Sequence, residues 1–342
     1  MMHRLRSSSR FCACLLVLAA CDSANDDYES EATLDVKQYV NAQLEKLSKA
    51  AEAIEKAAPA ADDDGWNAKD DAEALKNMRK AWGDAREAYE RVEGSIAVLF
   101  KGLDRYTDER YDGFIEEEKD DDLFDDEGVV GVHAIERILW SDSIPEHVMK
   151  FESTLPGYKP AAFPANKEEA DAFKNKLCKR LTRETKIMRD QFATVALQPG
   201  AAFWGMIGSM EEQAEKTTKA ASGEDESRYA QNTLADMRAN LAGARAVFDA
   251  FKPWIEAKSG NAAIEEIETE FKEVADAYAE IDGVALPQVP AKFNPDKPTD
   301  TDLKTPYGKL WQLLNEKTDP EDDTSLVHKM MNTADDMGIE PQ

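Results

Sequence analysis

Apolar residues along this chain recur at steps of three and four over long stretches, and no span alternates with period two for long enough to argue a strand. The most regular stretch runs Leu75, Met78, Trp82, Ala85, Tyr89, Val92, Ile96 and Leu99, the seam of one long bundle helix. An earlier helix is expected from about Thr33, with Leu34, Tyr39, Leu44, Leu47 and Ile54 as its apolar positions, ending at the Pro- and Asp-rich loop 59–65. Another is expected to start between Gly128 and Gly131, anchored by Ile135, Ile138 and Leu139. Pro145, Pro156, Pro160 and Pro164 then mark a non-helical connector. Helical pattern resumes over 167–197, breaks at Pro199-Gly200, continues over 201–221, and returns over 227–256 and 262–281. A Pro-, Asp- and Lys-rich linker from Pro287 leads to two short helices at 307–314 and 325–337. The fold class read from this pattern is all-α.

A repeat sharpens the organisation. Met78-Arg79, Ala85-Arg86 and Tyr89 return at the same spacing as Met237-Arg238, Ala244-Arg245 and Phe248. With the connector at 143–166, this predicts two similar helical bundles in tandem, 33–142 and 167–285, followed by an extension over 286–342.

The first twenty residues do not belong to that fold. Arg4, Arg6 and Arg10 precede an apolar run too short to span a bilayer, and Leu18-Ala19-Ala20-Cys21 places small residues directly before a cysteine. The pattern is that of a lipoprotein signal over 1–20, with lipidation at Cys21 and an acidic tether over 21–32. The expected location is therefore outside the cytoplasm, lipid-anchored at a bacterial membrane and facing the periplasm or the cell surface. Of the four cysteines only Cys178 remains in the body, so no intramolecular disulfide forms there. A formal charge of −27 excludes nucleic acid as a partner and favours cations. The run of acidic residues over 116–127 fails the calcium-loop register, since Phe124 and Asp125 fall where a ligand and the obligatory glycine belong, and it reads as a solvated loop.

Chemistry is concentrated at Gly131-Val132-His133-Ala134-Ile135-Glu136. His133 and Glu136 stand three residues apart on one helix face, able to share a proton or a metal ion, although a histidine packed against a carboxylate has the same spacing. Glu90 and Glu93 lie on one edge of the long seam, either as solvated flanking charges or as groups facing a polar gap in the bundle.

Those residues resemble the imelysin family, whose signature is a G-x-H-x-x-E segment ending in Leu-Trp, here Leu139-Trp140. Tyr89-Glu90-Arg91-Val92-Glu93 is similar to a segment of its iron-uptake members, as are Gly223-Glu224-Asp225 with Tyr229, and 236–240 with Gly243. The resemblance implies two four-helix bundles and a metal site of His133 and Glu136 with Glu90, Glu93 and Asp108. It implies an iron-binding component of an uptake system, with zinc, copper or calcium as other possible ions and an iron permease or peroxidase as partner. The alternatives are an imelysin-type metallopeptidase and a structural helical lipoprotein. One histidine with several carboxylates suits a reversible carrier better than a zinc hydrolase, which ordinarily holds its ion with more histidines.

Overall fold

The computed structural model describes residues 15–117 and 122–341, with side chains in the first helix from Asp27 onward. The described residues form helices and connecting turns without a strand. In chain order the helices are α1 (Leu15–Ala57), α2 (Ala72–Glu90), α3 (Glu93–Leu99), α4 (Lys101–Asp108), α5 (Tyr111–Glu117), α6 (Gly131–Leu139), α7 (Glu146–Glu152), α8 (Lys167–Ala172), α9 (Lys179–Thr194), α10 (Pro199–Ala220), α11 (Thr233–Ser259), α12 (Ala262–Ala279), α13 (Pro306–Thr318) and α14 (Leu326–Met337). A π-helical turn, Phe173–Cys178, joins α8 to α9 without a break. Residues 1–14 of the signal and the side chain of Cys21 lie outside the described residues, and so does the centre of the acidic run, 118–121. None of the described helices is long and apolar enough to cross a membrane.

Helix α1 forms the longest wall of the core. Val36, Val40, Leu44, Leu47, Ala51 and Ile54 share its buried face, at the spacing that turns one stripe inward. Leu34, expected on that seam, is exposed, and Tyr39 is only partly buried; Val36 and Val40 hold the register with Leu44 instead. The helix also begins well before Thr33, so the segment expected as a tether has helical backbone. α1 packs against α2, α9 and α11, and thus joins segments from both sides of the connector.

The long seam over 75–99 proves to be two helices. Leu75, Met78, Trp82, Ala85, Tyr89, Val92 and Ile96 are all buried as expected, but the backbone turns at Arg91 and Val92. Asn240 of α11 donates its amide to the Glu90 carbonyl at 2.8 Å, supplying a partner for a helix end. Gly243 lies against the Arg91 carbonyl, where an added Cβ would come within 2.3 Å of that oxygen. The turn places Glu90 and Glu93 on one polar face.

Other elements also depart from the pattern. The connector holds α7, and α11 begins at Thr233 rather than near 227, leaving 221–232 as a loop. Phe124 of the acidic run is buried edge-on against Phe173. The C-terminal segment packs back on α10, where the Tyr307 hydroxyl donates to the Thr217 carbonyl and Trp311 donates to the Thr218 hydroxyl. Lys317 and Lys329 from α13 and α14 both pair with Glu270 of α12.

Candidate metal centre

Helix α6 enters the core through Gly131, whose φ of +89° suits glycine. A Cβ there would lie 2.6 Å from the Thr107 carbonyl oxygen, so the glycine lets the start of α6 touch the end of α4. Trp82 of α2 donates to the Val132 carbonyl at 3.0 Å, and Arg79 caps the far end through the Leu139 carbonyl. Thus α6 is fixed at both ends, and His133 is carried inward to 1 % exposure.

The two ring nitrogens of His133 have separate surroundings. Nδ1 lies 2.7 Å from Glu136 Oε2. The other oxygen of Glu136 accepts from the backbone N–H groups of Tyr229 and Ala230, at 3.0 and 2.8 Å. Glu136 therefore orients the imidazole and ties α6 to the loop 221–232. On the opposite side of the ring, Nε2 is buried without a hydrogen bond. It lies 3.5 Å from Asp108 Oδ1 and 3.4 Å from Glu226 Oε1. One donor atom each from Asp108, His133 and Glu226 falls within 4.8 Å of the others, and the same holds for Glu90, Glu93 and Asp108. Asp108 belongs to both groups.

Two buried cations stand among these carboxylates. Arg86 of α2 pairs directly with Glu90 and Asp108, and its guanidinium lies 3.7 Å from both Glu226 and Asp236. Lys216 of α10 reaches Glu90 at 2.8 Å and Glu93 at 3.1 Å. Burial works against charge on Arg86 and Lys216, but the surrounding carboxylates raise both above their ordinary values. Burial and the nearby Arg86 also act against charge on His133, yet Asp108, Glu136 and Glu226 outweigh them and raise it to about 10. Burial pushes Glu226 up, whereas Lys216, His133 and Arg110 hold it well below the usual carboxylate range.

A cleft of about 250 Å³ opens at this cluster, its lining including Glu93, Asp104, Asp108, Glu212, Lys216 and Glu226. Burial raises Asp104 to about 7; the Tyr89 hydroxyl pulls the other way, and Asp108 and Glu93 add to the rise. Because the folded carboxyl holds its proton more tightly than the unfolded one, its stabilising contribution is complete below about pH 4 and is lost as pH rises through about 7. Asp104→Asn, which stays neutral throughout, is therefore expected to gain melting temperature relative to the parent between pH 4 and pH 7. The gain is of the order of a few degrees and levels off above pH 7. Scanning calorimetry of both proteins across that range checks it; a constant difference refutes it.

Of the residues expected from the sequence, His133, Glu90, Glu93 and Asp108 come together, while Glu136 faces the other edge of the imidazole. Glu226, Asp236, Arg86 and Lys216 complete the cluster and were not anticipated as part of it. Glu226 lies in a loop that periodicity assigns to nothing. Arg86 shares an edge of the α2 seam with Glu90, one turn earlier, which is the one signal that could have drawn it in.

The imelysin family model matches residues 27–315. The chain belongs to the imelysin family. Among curated relatives, the iron uptake system component EfeO of Yersinia pseudotuberculosis serotype I is 27 % identical over 205 residues, covering 60 % of this chain and 45 % of that protein. EfeO of Escherichia coli O1:K1 is 24 % identical, covering 71 % of this chain and 53 % of that one. This imelysin thus spans about half the length of the EfeO proteins it matches. An Efem/EfeO family lipoprotein of Staphylococcus haemolyticus is 25 % identical over 289 residues, covering 78 % and 84 % of the two chains. The crystal structure of an imelysin-like protein from Psychrobacter arcticum 273-4 has the same fold, with a TM-score of 0.50 at 13 % identity over 95 % and 96 % of the two chains.

Proposed function

We propose that this imelysin is a lipid-anchored metal-binding component of an iron-uptake system, with iron as its cargo. The observation behind this reading is the buried Nε2 of His133, which makes no hydrogen bond and faces the oxygens of Asp108 and Glu226. That donor set, with Glu90 and Glu93 beside it, is oxygen-rich and suits ferric or ferrous iron, and also zinc, copper or calcium. His133, Asp108 and Glu226 are the proposed direct ligands, joined by Glu90 and Glu93 through Asp108, which belongs to both groups of donor atoms, and Glu136 holds the imidazole in place. The EfeO and Efem/EfeO names of its relatives point to the same role. An exported location follows from the lipoprotein pattern ending at Cys21, with lipid at that cysteine and a membrane permease or a peroxidase as the partner that receives or prepares the ion.

A carboxylate cluster balanced by internal cations binds metal reversibly, because the protein's own positive charges and protons compete with the ion. Calorimetric titration of metal-stripped protein with ferric citrate and with zinc chloride is expected to show one site. That site is lost in Asp108→Asn, Glu226→Gln, while the far-ultraviolet circular dichroism stays helical. Equal binding by the double variant would refute the site. Zinc-dependent cleavage of casein that disappears in the same variant would replace the carrier by the peptidase.

A further inference from the structure

Lys216 is placed as a metal ion would be. Its ammonium lies 2.8 Å from Glu90 Oε2, 3.1 Å from Glu93 Oε2 and 3.0 Å from Asn240 Oδ1, with Glu226 Oε2 at 3.9 Å. These oxygens come from α2, α3, α11 and the loop 221–232, so one side chain from α10 gathers four separate segments. A metal cation and an ammonium cannot share the same carboxylate oxygens at such distances without strong repulsion. An ion that engages Glu90 and Glu93 must therefore move the ammonium.

The structure offers a place for it to go. Glu212 lies four residues earlier on α10, the spacing at which helical side chains meet. Its Oε2 is buried and has no hydrogen-bond partner, and its side chain lines the same cleft as Lys216 and Glu93. A lysine is a compact charge on a flexible four-carbon stem, able to swing between two acidic partners where an arginine fork is held by its geometry. Arg86 is fully buried and holds Glu90 and Asp108 through separate nitrogens of one planar fork, whereas Lys216 holds its partners with a single ammonium.

We propose that Lys216 is a resident counter-ion that the incoming metal displaces from Glu90 and Glu93, its ammonium passing to Glu212. The inference rests on the metal-carrier reading and adds to it a residue that sets affinity. The exchange keeps the carboxylates charge-compensated when the site holds no metal, and leaves the ammonium hydrogen-bonded to the Glu212 carboxyl when it does.

Zinc titrations of four metal-stripped proteins at pH 7 test it: the parent, Lys216→Met, Glu212→Gln and the double variant. Lys216→Met is expected to bind zinc about tenfold more tightly or better, since no internal cation has to be moved. Glu212→Gln is expected to weaken binding severalfold in the parent and to have no effect once Lys216 is gone, a coupling that simple surface charge would not produce. Thermal melting should show a larger zinc-induced rise for Lys216→Met than for the parent. Unchanged or weaker binding by a folded Lys216→Met overturns the proposal, as does an equal Glu212→Gln effect in both backgrounds. Should Lys216→Met fail to fold, Glu212→Gln with no effect in the parent overturns it alone. Absence of binding by every protein overturns the carrier reading and this proposal together.

Discussion

Replacing Arg86 with methionine is expected to destabilise the protein by about 3–5 kcal/mol, the usual cost of removing one member of a buried ionic cluster. The guanidinium is fully buried, touches Glu90 and Asp108, and stands 3.7 Å from Glu226 and from Asp236. Methionine fills a similar volume, so the packing of α2 against α6 and α11 changes little and the loss is electrostatic. Four carboxylates would then face one another with Lys216, His133 and Arg110 in compensation. They must take up protons or admit water, and either lowers the stability of the folded state. The melting temperature should fall by roughly 10 °C. Arg86→Lys keeps the charge but not the planar fork that reaches several acceptors at once, and it should recover less than half of the loss. Urea unfolding followed by circular dichroism measures both. A cost for Arg86→Met below about 1 kcal/mol would show that the carboxylates are already neutral, contrary to the ion pairs described.

The helical architecture was largely legible because long apolar stripes at steps of three and four leave little choice. The seven positions from Leu75 to Ile96 are buried as the pattern requires. What periodicity could not show is that the stripe continues through a turn at Arg91 and Val92. Three- and four-residue steps survive that turn, since Val92 and Ile96 remain on the inner side. The cause lies in α11, where Asn240 takes the Glu90 carbonyl and Gly243 accepts the Arg91 backbone. A contact between residues 150 positions apart leaves no local trace. The phase of α1 was drawn through Leu34 and Tyr39 for a related reason. Even in the middle of a helix a single large apolar residue can face solvent, and Val36 and Val40, smaller and four apart, are the packed pair.

The site was legible in its centre and not at its edges. Gly131 before His133 reads in the sequence as a helix start, and the Thr107 carbonyl 2.6 Å from a hypothetical Cβ shows that it also permits a close approach. His133 with Glu136 was visible as a pair, yet spacing alone says nothing of what the second ring nitrogen faces. Glu226 fills that role from a loop, and Asp236 and Lys216 come from helices whose own periodicity is satisfied without them. A buried charge in such a helix reads as a solvated flank until the neighbouring helix is known. The cluster draws residues from both sides of the connector, so neither half alone carries it.

The other large effect is expected where α3 crosses α10. Gly94 and Gly205 meet there backbone to backbone: a Cβ on Gly94 would lie 2.1 Å from the Gly205 carbonyl oxygen, and one on Gly205 would lie 2.5 Å from the Gly94 carbonyl oxygen. No side chain can rotate away to make room, so Gly94→Ala must force the two helices apart. In a close-packed interior such a shift costs about 3 kcal/mol, or roughly 6 °C in melting temperature. Alanine's better helix propensity, worth up to about 1 kcal/mol over glycine, recovers only part of that. Glu93 is the residue before Gly94, and Lys216 extends from the same helix as Gly205. Separation of α3 from α10 therefore lengthens the Lys216 contacts to Glu93 and Glu90 as well. Gly83→Ala, on the open side of α2 where an added Cβ meets nothing within 4 Å, serves as the control and should stabilise slightly. Calorimetric melting of the two variants separates the readings. If Gly94→Ala melts within about 1 °C of Gly83→Ala, the crossing is not the close contact that sets α3, and the turn at Arg91 and Val92 would have to be held by α11 alone.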